Sequence, residues 1–348
     1  MAARLLPAED LDLVLSLTPG FWSRFGGARL FLTGGTGFIG QWLVQAVQHA
    51  NERLDARIEL VVLTRDPQRA RAAAPQIFCR PDAQLVAGDV AERLPMVGAF
   101  DLCIHAATDV GDSLKPADPI KVFDSIVTGT RRVLDLAMAA GTKRFLLTSS
   151  GAVYGPQPPE LEHVPETHPG APSPQQPGAA YGNGKRAAEW LASAYTALSA
   201  QGGLSACSAR IFALLGPGLP LDGGFAAGNF IRDALAGKRV RIQGDGRPLR
   251  SYLYMADLSA WLLRMLEAGT PGAAYNVGSM HAVSIAELAA SVVRASGREV
   301  PVEIVAKPLP GTLTPRYVPD TRKAQQELGL AEITPLDVAL AKTIEWNR

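Results

Sequence analysis

The segment that most constrains the fold spans residues 28–50, ARLFLTGGTGFIGQWLVQAVQHA. Residues 29–33 are a short run of strand formers, broken by Gly34-Gly35-Thr36-Gly37. From Phe38 on, the apolar positions Phe38, Ile39, Trp42, Leu43, Ala46 and Val47 recur at helical spacing. Gly34, Gly37 and Gly40 thus occupy a G-x-x-G-x-x-G turn between strand and helix, a spacing variant of the dinucleotide fingerprint. The first glycine permits the tight turn, the second lets backbone approach a pyrophosphate, and the third lets helix pack on strand. The helix start adds unpaired N–H groups and a partial positive charge facing that anion. A glycine triplet alone is a weak signal; in this frame it points to a dinucleotide.

The alternation continues down the chain. Residues 57–64 read as a second strand, 84–87 as a third ending at Gly88-Asp89-Val90, 100–107 as a fourth and 144–148 as a fifth, with a helix over 122–140. Such order requires an α/β fold with a Rossmann-type, doubly wound parallel sheet. The fourth run, FDLCIHAA, is nearly all apolar, as a strand covered on both faces must be. Residues 28–205 are expected to form the dinucleotide domain, with 206–216 as a returning strand. Residues 217–348 then supply mainly a smaller, discontinuous α/β substrate lobe, which includes a strand at 275–277. The substrate is expected between the lobes, over the C-terminal strand ends. Residues 1–27 read as an extension with a short helix at 8–17, placed on the outside or at a subunit contact.

Composition excludes several classes. A net charge of +1 gives no electrostatic case for nucleic acid or an anionic membrane. No apolar run approaches the ~18–20 residues of a membrane span, and the N-terminus lacks a signal-peptide pattern. The three cysteines, Cys79, Cys103 and Cys207, are scattered, which fits reduced thiols in a cytoplasmic protein. The five histidines show no metal-ligand spacing, so no metal is expected.

The end of the second strand bears on the cofactor. NAD sites place a carboxylate there for the ribose 2′-OH, and NADP sites an arginine for the 2′-phosphate. Here the order is Thr64-Arg65-Asp66-Pro67, a hydroxyl and a guanidinium before any carboxylate. That order points to NADP and leaves NAD open. At the fourth strand's end, His105-Ala106-Ala107 offers small residues where a cofactor passes close; His105 itself reads as structural rather than as a base.

The fifth strand runs into Ser149-Ser150-Gly151-Ala152-Val153-Tyr154-Gly155, and a Pro-rich stretch follows over 156–177, too polar and proline-broken for regular structure. Tyr181-Gly182-Asn183-Gly184-Lys185 then opens a helix, with Tyr181 and Lys185 on one face. An ammonium beside a phenol is expected to lower its pKa toward working pH. With a serine hydroxyl from the neighbouring strand end, the pair forms a proton relay for alcohol–ketone interconversion beside a nicotinamide.

TGGTGFIG, GDV at 88–90, HAAT at 105–108, SSGAVYG and YGNGK together resemble the extended short-chain dehydrogenase/reductases, the NAD-dependent epimerase/dehydratase family that modifies nucleotide sugars. The resemblance implies Ser150, Tyr181 and Lys185 as the catalytic set, with Ser149 as the fallback serine. It implies a cofactor site of Gly34, Thr36, Gly37, Phe38, Ile39, Gly40, Thr64, Arg65, Asp89, Val90, His105, Ala106, Ala107, Tyr181 and Lys185, with Asp89 at the adenine. It further implies a nucleotide-sugar substrate held by Ser150, Asn229 and Arg250, the last on its diphosphate, and a homodimer.

Departures narrow the reaction. The family's 4,6-dehydratases carry Asp and Glu directly after the catalytic residue, where this chain has Gly151 and Ala152. Elimination of water is therefore disfavoured, and the missing Glu weakens a sugar-acid decarboxylase. The family's usual Asn before Gly129-Thr130 is Ile126, and the Asn after R-I-F is Ala213. The expected activity is hydride transfer at C4 of a nucleotide-linked sugar, as an epimerase or as an NADPH-dependent 4-keto reductase. A 4,6-dehydratase and a non-catalytic dinucleotide sensor or scaffold are the alternatives.

Overall fold

A computed structural model describes residues 4–108, 118–199, 203–309 and 311–348. The strands in chain order are β1 (Arg29–Thr33), β2 (Glu59–Thr64), β3 (Ala83–Ala87), β4 (Leu102–His105), β5 (Arg144–Ser150), β6 (Ser205–Ile211) and β7 (Ala213–Leu215). The later ones are β8 (Val240–Ile242), β9 (Leu249–Arg250), β10 (Tyr252–Tyr254), β11 (Ala274–Val277), β12 (Val283–Ser284), β13 (Val302–Ile304) and β14 (Arg316–Tyr317). Seven of them form one sheet in the order β11-β6-β5-β4-β1-β2-β3, every pairing parallel. The doubly wound expectation holds.

The helices are α1 (Ala8–Leu17), α2 (Pro19–Phe25), α3 (Phe38–Leu54), α4 (Pro67–Ala73), α5 (Pro75–Phe78), α6 (Pro119–Ala139) and α7 (Ala180–Leu198). After them come α8 (Ala226–Leu235), α9 (Met255–Ala268), α10 (Ile285–Ser296), α11 (Arg322–Leu328) and α12 (Leu336–Trp346). Alternation along β1 sends Leu30 and Leu32 to the core under α3 and α9, and Phe31 to the core under α6 and α7. All three are fully buried, each side chain contributing roughly 1.5–3 kcal/mol of transfer free energy.

The other strands form three small sheets, β7–β10, β12-β9-β14 and β8–β13. One expected lobe strand lies elsewhere: 275–277 belongs to β11, the seventh strand of the main sheet, paired with β6. The fully buried flank of α9 carries the chain back across the sheet to that edge.

The N-terminal extension is no loose appendage. Leu11, Val14, Leu15, Phe21 and Trp22 are buried in the same core as α3 and α9. Asp10 is buried too; it accepts from the Tyr254 hydroxyl at 2.6 Å and from Lys342 at 2.6 Å, locking both chain ends together. The Pro-rich stretch is likewise tied down, by bridges of Gln157 to Arg316 and of Val164 to Pro319. Backbone partners supplied from β14 onward hold it where its own sequence could not. Among the described residues, no helix is long and apolar enough to cross a membrane.

Candidate active site

The turn after β1 is shaped by what its glycines leave out. Gly34 has φ +73°, and a Cβ there would lie 2.6 Å from the Ala106 carbonyl at the end of β4. A Cβ on Gly40 would lie 2.1 Å from the Gly34 oxygen, so the first turn of α3 rests directly on the preceding loop. Gly37 is less confined, with its nearest neighbour at 3.3 Å, and precedes a helix that no side chain caps. The uncapped N–H groups of a 17-residue helix then face a loop in which Thr36 alone, among residues 34–37, carries a side chain. This is a cradle for a pyrophosphate, and the residues present fit a dinucleotide.

At the β2 end, Asp66 caps α4 by accepting from the Arg69 N–H at 2.9 Å. The first carboxylate after the strand is therefore engaged in its own helix. Asp89, after β3, accepts from the Ala91 N–H at 2.9 Å, and Val90 packs against Gly129 of α6. His105 is buried, with Nδ1 paired to the Thr33 hydroxyl at 2.7 Å, and that hydroxyl accepts from the Ala107 N–H. Burial, and then the Lys185 ammonium, push its pKa down to about 3. The imidazole is a neutral brace between β1 and β4.

Lys185 is buried on α7 and donates to the Thr148 carbonyl at 2.7 Å and the Thr108 hydroxyl at 2.8 Å. Burial lowers its pKa to about 8, with Glu189 acting the other way. Tyr181, one turn earlier, is half-buried, its ring 5.8 Å from the Lys185 nitrogen. Its pKa is raised by burial and drawn back by the hydroxyl of Ser150. The expected lowering by lysine is not what dominates: the desolvation of the phenol is larger, and the ammonium is held by oxygens of β5 and Thr108.

Strand alternation separates the two serines. Ser149 donates to Glu189, which is paired with Arg210 at 2.8 Å, whereas Ser150 faces Tyr181. Ser150 also accepts from the Ala152 N–H at 3.2 Å, capping the short turn Gly151–Tyr154.

A model of the NAD dependent epimerase/dehydratase family matches residues 30–278. The chain belongs to that family. It is 31% identical over 330 residues to UDP-glucuronic acid decarboxylase 1 of Xenopus tropicalis, covering 94% of this chain and 74% of that protein. Among solved structures, it resembles DesIV, a dTDP-glucose 4,6-dehydratase of Streptomyces venezuelae solved with NAD and TYD, at TM-score 0.77 and 26% identity over 92% of this chain and 97% of that one. It also resembles MoeE5 in complex with UDP-glucose and NAD, at TM-score 0.74 and 27% identity over 92% and 98% of the two chains.

Within this epimerase/dehydratase fold, the place after Ser150 is filled in an unexpected way. A Cβ on Gly151 would lie 2.7 Å from the Tyr317 hydroxyl and 2.6 Å from the Phe212 ring. The Tyr317 phenol, from β14, therefore occupies space beside the serine, and sequence reasoning passed it over. Arg250 stands next to it: β9 and β14 pair Tyr317 with Arg250, whose guanidinium carbon is 5.8 Å from the Tyr317 ring. Asn229 lies on α8, where its amide oxygen accepts from Arg232 at 3.3 Å. Ile126 is buried and packs on Gly184, joining α6 to α7 where the family's Asn would bring polarity.

The Pro-rich stretch does not replace the missing carboxylates. Glu160 and Glu162 are exposed, and Glu166 accepts from the Asn276 N–H of β11 at 2.8 Å. Among the described residues, no cluster suited to a metal ion is present.

Proposed function

We propose that this protein transfers hydride at C4 of a nucleotide-linked sugar, as an epimerase that uses NADP. The observation that carries the reading is Ser150-Gly151-Ala152 beside Tyr181: no carboxylate follows the serine, and the Tyr317 phenol, with the Arg250 guanidinium next to its ring, stands beside Gly151 instead. The bound dinucleotide supplies a hydride acceptor and donor. Gly34, Gly37 and Gly40 with the α3 N-terminus would hold its pyrophosphate, and Thr64 and Arg65 its adenosine end, near Asp89. With Asp66 engaged as a cap, Arg65 is the charged group best suited to select a 2′-phosphate.

Tyr181 moves the proton at the sugar's C4 oxygen, and Ser150 holds that oxygen by hydrogen bond. Lys185 keeps a positive charge behind the phenol, so the phenolate that forms is stabilised. The Arg250 fork matches diphosphate oxygens, with Asn229 as a further polar contact for the nucleotide. The presence of Ser150, Tyr181 and Lys185 together argues against a non-catalytic scaffold.

A second reading, NADPH-dependent reduction of a 4-keto sugar, is favoured by Arg65 after β2, a guanidinium suited to the 2′-phosphate of NADPH. One experiment separates these. Purified protein is given UDP- and dTDP-linked hexoses and UDP-glucuronic acid with NAD or NADP, and products are analysed by mass and chromatography. A C4 epimer of unchanged mass is expected. Loss of one water or one carbon dioxide overturns the proposal, and turnover only of a 4-keto sugar with consumption of NADPH selects the reductase.

A further inference from the structure

The Lys185 ammonium is fixed by a side-chain oxygen that the Ser150, Tyr181 and Lys185 set leaves out. An ammonium has three N–H donors and no acceptor. One of them goes to the Thr148 carbonyl at 2.7 Å, a main-chain atom of β5. A second goes to the Thr108 hydroxyl at 2.8 Å, and that hydroxyl gives its own proton to the Ala107 carbonyl at 2.7 Å. With its proton committed there, the Thr108 oxygen has its lone pairs left for the ammonium, so the contact can run in one sense only.

The backbone that carries Thr108 is tied to the strand before the glycine cradle. The Ala106 N–H donates to the Thr33 carbonyl at 3.2 Å, the Ala107 N–H donates to the Thr33 hydroxyl at 3.1 Å, and that hydroxyl pairs with Nδ1 of His105 at 2.7 Å. Thr108 is thus presented by a frame built from β1 and β4, and not by a free loop. Lys185 is only 3% exposed, and an ammonium in such a place keeps its charge only while its donors find oxygens. Among the described residues, the titratable groups around it are His105 on β4 and Tyr181 and Glu189 on α7. His105 is neutral above about pH 3, and Glu189 is paired with Arg210 at 2.8 Å. The acceptors that hold the ammonium are therefore two uncharged oxygens, and Thr108 supplies the one that mutation can remove.

We propose that Thr108 is a positioning residue: its hydroxyl, together with the Thr148 carbonyl, fixes two N–H groups of Lys185 and so keeps the positive charge beside the Tyr181 ring. The inference rests on the reading of Lys185 as the charge that stabilises the Tyr181 phenolate, and it assigns the placement of that charge to a residue beyond the end of β4.

The test compares Thr108→Val, which keeps the branched shape and removes the acceptor, with Thr108→Ser, which keeps the acceptor and removes a methyl; Thr108→Ala serves as a second variant without the hydroxyl. The full-length proteins carry carbon-13 at the lysine ε-carbon, and the Lys185 signal is assigned by its loss in Lys185→Met. In the wild type this signal should titrate at about 8. Without the Thr108 oxygen the charged form loses a hydrogen bond, so in the Val and Ala variants the titration should move down by about one pH unit, a tenfold change in the ionisation constant. Thr108→Ser should restore the wild-type curve. A Val curve that coincides with wild type, or a Ser curve that moves as far as the Val one, overturns the proposal. The readout needs no turnover, so a wrong choice of substrate or reaction leaves it intact. In assays the alkaline limb of kcat should move down with the titration, with KM nearly unchanged. A moved titration with an unmoved kcat limb sustains the placement of the ammonium by Thr108 and overturns instead the reading of Lys185 as the charge behind Tyr181.

Discussion

The cradle after β1 and the corner around Ser150 open on the same edge of the sheet but are built from different material. The cradle is backbone from one stretch, Gly34 to Gly40, and its shape follows from atoms that are absent. The corner is side chains from separate stretches: Ser150 from β5, Tyr181 and Lys185 from α7, Arg250 from β9 and Tyr317 from β14. A backbone site admits little variation, since any Cβ at Gly40 meets main chain. A side-chain site can exchange one functional group for another while the scaffold stays. This accounts for a family in which one cofactor cradle accompanies several reactions, and for a chain that keeps the glycines yet replaces acidic neighbours of the serine by Gly151 and Ala152.

The largest expected effect tests the corner. Tyr181→Phe should lower kcat by roughly 10²–10⁴, the range for a general acid–base group, with cofactor affinity and thermal midpoint close to wild type. Steady-state kinetics beside cofactor titration decide it. Should affinity for the dinucleotide collapse as well, the two regions are not separable and the comparison fails.

The next tests the cradle. Gly40→Ala forces a carbon to within 2.1 Å of the Gly34 oxygen, where Gly37→Ala meets nothing closer than 3.3 Å. Overpacking against backbone should cost about 3 kcal/mol for Gly40→Ala, at the upper end of such changes, and well under half of that for Gly37→Ala. Denaturant midpoints measure both. Equal losses would mean that the turn yields more readily than the backbone contact implies.

The same contrast explains what could be read in advance. The strand, turn and helix of residues 28–50 follow from local periodicity, and the Tyr181–Lys185 pair from helix geometry, so both were legible. Ser150 was preferred to Ser149 on the family resemblance alone, and the Ser149–Glu189 bond that separates the two became visible only in the fold. Tyr317 was hidden because it arrives on β14, a strand of two residues paired with another two in β9, too short to leave any pattern. The N-terminal helix was visible, but its docking was not: Asp10 looks like a surface residue until Tyr254 and Lys342 appear beside it. The seventh strand was misplaced for a related reason, since nothing local tells an edge strand of one sheet from a strand of another.

The smallest expected effect is a pH dependence confined to the corner. Around neutrality, Lys185 is its one shifted group in range: burial puts it at about 8, His105 is pushed to about 3, and Tyr181 is raised above the ordinary phenol value. Below pH 8 the ammonium is charged and lowers the cost of forming the Tyr181 phenolate. Above it the charge is lost and proton transfer slows, so kcat should fall about tenfold between pH 7 and 9, as a single ionisation requires. Stability should move the other way. The folded pKa of Lys185 lies below the unfolded value near ~10.4, so between these two pH values the unfolded chain binds the extra proton and unfolding becomes harder as pH rises. Lys185→Met should remove that component of the stability curve, which denaturant titrations at pH 8 and 10 can measure in both proteins. Activity and stability falling together above pH 8 in the wild type would place the titrating group in the scaffold instead of behind Tyr181.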